Sequence, residues 1–103
     1  MQDKLIISIK IKKTIELVRK TTYNYSHEYK FLKDNIMNTF YDLLKLNYKA
    51  NIYKDINVKK DIIVDIKMIE YYIKVSCDYQ LISYKKFKRI GDYLQSIFYY
   101  IFI

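Results

Sequence analysis

Residues 62–76 read Ile-Ile-Val-Asp-Ile-Lys-Met-Ile-Glu-Tyr-Tyr-Ile-Lys-Val-Ser, and the spacing within them decides the fold. Ile62, Ile66, Ile69, Ile73 and Ser76 step by 4, 3, 4 and 3 residues, which lines them along one side of an α-helix. A seam with that heptad-like period suits packing against neighbouring helices at a shallow angle. A helix over 58–78 is predicted.

Working outward, the same period recurs on both sides. Ile7, Ile11, Thr14, Val18 and Thr22 form a stripe within 5–24, with Lys12, Lys13, Glu16, Arg19 and Lys20 largely opposite. Leu32, Ile36, Phe40, Leu43, Asn47 and Ala50 form one within 29–50, and Phe87, Ile90, Leu94, Ile97 and Ile101 another within 83–102. Between the stripes lie polar stretches: Asn24 to Glu28 with Ser26 as a cap, Asn51 to Asn57 with Asn57 as a cap, and Tyr79 to Ser83 with Ser83 as a cap. The chain has no proline and one glycine, Gly91, so the residues that most often interrupt helices are nearly missing. An all-α fold follows, an antiparallel up-down four-helix bundle in one domain spanning 1–103. The competing reading is an edge strand at Leu5-Ile6-Ile7-Ser8-Ile9-Lys10-Ile11, where β-branched residues alternate with others.

Composition limits the kinds of work such a bundle does. The chain is 51% hydrophobic and 29% charged, enough apolar matter for a core and too much charge for a membrane protein. Residues 97–103 are very apolar but fall far short of the roughly 20 needed to cross a bilayer. The lysines at 10, 12 and 13 interrupt the first apolar stretch, unlike the core of a signal peptide. Cys77 is the single cysteine, which excludes an internal disulfide and fits a reducing, cytoplasmic home.

The formal net charge is +8, and a positive field attracts polyanions. Lysine, isoleucine, tyrosine and asparagine all have AT-rich codons, so an AT-rich genome is a second source of that charge. Its distribution argues for a function. The excess is +4 over 1–25, +1 over 26–53, 0 over 54–78 and +3 over 79–103, which concentrates it on the first and last helices. Lys12, Lys13, Arg19, Lys20, Lys85, Lys88 and Arg89 are the candidates to neutralise phosphates. Lysines outnumber arginines 17 to two, which favours backbone contacts over base readout. The thirteen tyrosines either edge the core or stack on bases. Tyr93, Tyr99, Tyr100 and Phe102 widen the apolar surface of the last helix, and self-association or docking on a larger partner would cover them.

Catalytic and metal signatures are missing. His27 is the one histidine and sits in a turn, with no second histidine or cysteine to complete a metal site. No Glu-x-x-His pair, glycine-rich loop or Cys/His pairing occurs. Small helical RNases use arginine and histidine four to six residues apart, whereas Arg19 and His27 are separated by seven. No enzyme activity and no cofactor are expected.

Three segments carry a resemblance: His27-Glu28-Tyr29-Lys30-Phe31-Leu32, Leu46-Asn47-Tyr48-Lys49-Ala50-Asn51 and Leu81-Ile82-Ser83-Tyr84-Lys85-Lys86-Phe87. With the helix lengths, they resemble the accessory variability determinant proteins of diversity-generating retroelements. Those belong to a wider four-helix-bundle family that includes proteins encoded by 23S ribosomal RNA intervening sequences. The resemblance implies a non-catalytic homopentamer that binds the reverse transcriptase and template RNA or complementary DNA, supporting mutagenic reverse transcription. Two other functions stay open on the residues alone: a protein-interaction scaffold with no nucleic-acid role, and a small helical RNase or toxin.

Overall fold

The computed structural model describes residues 2–102, with side chains from Ile6 onward. Four α-helices follow one another: α1 Gln2–Thr22, α2 Lys30–Tyr53, α3 Ile56–Asp78 and α4 Tyr84–Phe102. A 3₁₀ turn, His27–Tyr29, leads into α2, and no strand occurs among the described residues. The alternation at 5–11 is therefore helical. Ile7 and Ile11 face the core, and Ile6 and Ile9 remain exposed, because burial against neighbours outweighs the modest helix propensity of isoleucine.

The predicted stripes are the buried rows. In α2 they are Leu32, Ile36, Phe40, Leu43, Asn47 and Ala50, and in α3 Ile62, Ile66, Ile69, Ile73 and Ser76, joined by Val58. In α4 Ile90, Leu94, Ile97 and Ile101 are buried, while Phe87 is only half-buried at the helix start. Each large aliphatic side chain taken from water contributes about 1.5–3 kcal/mol. The rows close one core: α1 packs on α2 and α4, and α3 packs on α2 and α4. The buried hydroxyls of Thr14 and Thr22 donate back to Lys10 O (2.7 Å) and Val18 O (2.9 Å), so they add no unmet donor.

The connections correct the sequence reading in detail. Between α2 and α3 only Lys54 and Asp55 intervene, so α2 runs three residues past Ala50. Lys54 takes a left-handed conformation (φ 55°) and its N–H donates to Ala50 O at 2.9 Å, ending the helix as a glycine usually does. Asp55, not Asn57, caps α3: its Oδ1 accepts from the Asn57 N–H at 2.9 Å. Ser26 precedes the 3₁₀ turn without a side-chain cap bond. Ser83 does cap α4, its Oγ accepting from the Lys86 N–H at 3.2 Å. Before it, Gln80 (φ 62°) is left-handed. The Gln80 and Leu81 N–H groups donate to Cys77 O and Ser76 O, a Schellman ending to α3.

Candidate nucleic-acid interface

Lys12, Lys13, Arg19, Lys20, Lys85, Lys88 and Arg89 are all exposed, and the helices sort them onto different flanks. Adjacent helix residues point about 100° apart. Lys12 and Arg19 therefore lean toward α2, whereas Lys13 and Lys20 stand on the outer face of α1. Lys12 Nζ lies 5.7 Å from the centre of the Tyr48 ring. Lys12 and then Ser8 hydrogen-bond the Tyr48 hydroxyl and hold it below the usual tyrosine range. Arg19 Nη2 donates to the Tyr41 hydroxyl at 2.8 Å, and Nη1 meets Glu16 Oε1 at 3.0 Å. The Tyr41 bond, then Glu16, raise the guanidinium pKa further.

The opposite flank of α1 meets α4. Lys10 Nζ sits 4.8 Å from the centre of the Tyr100 ring, and Lys10 and Arg89 line one shallow hollow of about 340 Å³ with Asp92, Tyr93 and Ser96. Lys85 lies one helical turn from Arg89 and Lys13 one turn from Lys10. At the α1–α4 seam itself Lys10 and Arg89 come together beside Asp92, and Lys10 is a cation that no pattern within α1 singles out.

Among the described residues the ion pairs are Arg19–Glu16, Lys30–Asp34, Lys67–Glu70 and Lys74–Asp78, each within a single helix. Of the seven predicted cations, Arg19 alone has a carboxylate partner among those residues. Exposed pairs of this kind contribute little to stability, so leaving the others unpaired costs the fold little. The aromatic candidates divide. Tyr99 and Phe102 are exposed, whereas Tyr93 and Tyr100 are half-buried and Tyr100 packs on the core.

The remaining polar features lie elsewhere. His27 is exposed in the 3₁₀ turn and Cys77 is half-buried on α3. No group of three or more His, Cys, Asp or Glu side chains among the described residues is placed to hold a metal ion. A hollow of about 430 Å³ gathers residues from all four helices, with Ile7, Ile62 and Ile101 in its wall beside Asn47. Asn47 is buried, and its Nδ2 has no acceptor. On the α2–α3 seam Asp65 faces Asp42 and Asp61, with Lys45 and Lys49 lining the same hollow. Burial first, then the hydrogen bond and charge of Asp42 and the charge of Asp61, push the Asp65 carboxyl up to about 7.

No protein-family model, curated protein or solved structure matches this chain. No helix among the described residues is long and apolar enough to cross a membrane.

Proposed function

We propose that this chain is a non-catalytic accessory protein that holds the phosphate backbone of RNA or DNA on the cations of α1 and α4. The observation that carries the reading is the α1–α4 seam, where Lys10 and Arg89 share one hollow and the nearby lysines lack carboxylate partners among the described residues. Unpaired, solvated ammonium groups are free to release counterions from a phosphate backbone. The helices run alternately up and down in this reading. In support, Lys12 meets Tyr48, Arg19 meets Tyr41 and Tyr23 meets Lys33, so α1 ascends in number as α2 descends. A reverse transcriptase as the protein partner rests on the resemblance alone. Self-association draws support from Ile6, Ile9, Tyr99 and Phe102, exposed side chains near the α1 start and the α4 end.

Fluorescence anisotropy with labelled RNA and DNA oligonucleotides tests the reading. Contacts to about five phosphates of a single strand give a slope of log affinity on log salt near −3.5. Substituting Lys13, Lys20, Lys85 and Arg89 with glutamine should flatten that slope and weaken binding to all sequences alike. Affinity that ignores both salt and these substitutions would leave the protein-scaffold reading in its place.

A further inference from the structure

Three tyrosines lie along the α1–α2 seam, each beside a cation. Lys12 Nζ is 5.7 Å from the Tyr48 ring centre, Arg19 Nη2 donates to the Tyr41 hydroxyl at 2.8 Å, and Lys33 Nζ is 5.8 Å from the Tyr23 ring centre. The rings are not core edges: Tyr48 is 41% exposed, Tyr41 46% and Tyr23 74%. Positions 12 and 19 of α1 set the first two pairs roughly 10 Å apart at 1.5 Å per residue, and Tyr23 stands in the turn just past the helix end. About 100° around the same helix, Lys13 and Lys20 form a second row of charge parallel to the first. Glu16 is the one carboxylate paired with these cations among the described residues, and it offsets only Arg19.

We infer that the α1–α2 seam is a stacking groove for single-stranded nucleic acid, with bases on Tyr23, Tyr41 and Tyr48 and phosphates on the flanking cations. This rests on the nucleic-acid reading above, specifies the form of the ligand, and adds to the α1–α4 cations a second contact on the flank of α1 that faces α2. Every base has a π-face, so an aromatic platform binds a strand with little regard to sequence. A duplex hides those faces between its own base pairs, leaving the rings nothing to stack on. The cations complete the match, because a lysine or arginine next to each ring meets the phosphate that accompanies the stacked base. Lys12 and Lys33 lie over one face of the Tyr48 and Tyr23 rings, so in this arrangement a base stacks on the other face of each.

The test compares three probes by anisotropy on the wild-type chain: oligothymidylate, an abasic oligonucleotide of equal length, and a duplex. Oligothymidylate should bind at least roughly 10-fold more tightly than the abasic strand, given the usual worth of base stacking. Tyr41→Ala and Tyr48→Ala should each erase much of that preference and leave the salt slope unchanged, while Tyr41→Phe and Tyr48→Phe, which keep the ring, should retain it. Circular dichroism of each variant checks that the fold survives. Equal affinity for the abasic strand, or preference for the duplex, would overturn the groove and leave the basic surface standing. Failure to bind any of the three probes, or a single-stranded RNA of the same length, would overturn both.

Discussion

Replacing Asp65 with asparagine should make the bundle more stable, and by an amount that grows with pH. Asp65 sits between α2 and α3 with its carboxyl pushed up to about 7 from an ordinary 3.8, first by burial and then by Asp42 and Asp61. The folded chain therefore holds this proton more tightly than the unfolded chain does. The associated stability is fully present below pH 3.8 and is lost as pH rises to about 7, with no further loss above it. A shift of one pKa unit corresponds to about 1.4 kcal/mol, but Asp65 is partly exposed and shares its hollow with Lys45 and Lys49. Screening reduces the loss to about 1–2 kcal/mol between pH 5 and 8. The asparagine side chain keeps the shape, donates to Asp42 and carries no charge at either pH. Thermal unfolding followed by circular dichroism reads the effect. The gap in Tm between Asp65→Asn and wild type should widen by about 4–8 °C per kcal/mol on going from pH 5 to pH 8. Titrating groups remote from Asp65, Asp42 and Asp61 cancel in that difference. A gap of the same size at both values would refute a raised Asp65.

Asn47→Leu should stabilise the fold by about 1–2 kcal/mol in urea unfolding, because it removes a buried amide nitrogen without an acceptor from a largely apolar wall. Lys54→Gly should add about 1 kcal/mol, since glycine adopts the left-handed conformation at that position without steric cost; chemical unfolding that shows a loss would contradict the φ of 55°. Gly91→Ala should raise stability by about 0.5–1 kcal/mol by the same measurement, because a methyl group there meets nothing within 4 Å and glycine weakens a helix interior.

The core was legible because burial obeys a period. Once Ile62, Ile66, Ile69 and Ile73 face inward, 3.6 residues per turn dictates the rest of the row, and each predicted position from Leu32 to Ala50 is buried. The α2–α3 join was less so. Glycine or asparagine usually marks a left-handed helix ending, and here a lysine fills it, so the signal that would have shortened the turn to two residues is missing. Asn57 looked like a cap by type, but Asp55 stands at the right offset from the first free N–H. The exposed cations were legible as a set, since charge on a helix faces water. Their grouping was not, because it depends on which residues of neighbouring helices come level with them. Lys12 beside Tyr48 and Arg19 beside Tyr41 join residues 36 and 22 positions apart, and no pattern within one helix reports such a meeting. Lys10 escaped for the same reason, its role arising only from Tyr100 and Arg89 across the seam.

Lys54 also sets how securely the chain folds onto itself. The left-handed Lys54 and the extended Asp55 are what separate two helices from one continuous rod, which over residues 30–78 would run to roughly 70 Å. Were both residues to take right-handed helical values, α1 and α2 would part from α3 and α4, and each pair would lose the core surface that the other supplies. Exchange of halves between two copies is therefore a misassembly open to this fold, and glycine at position 54 would guard against it by making the break between α2 and α3 the easier course.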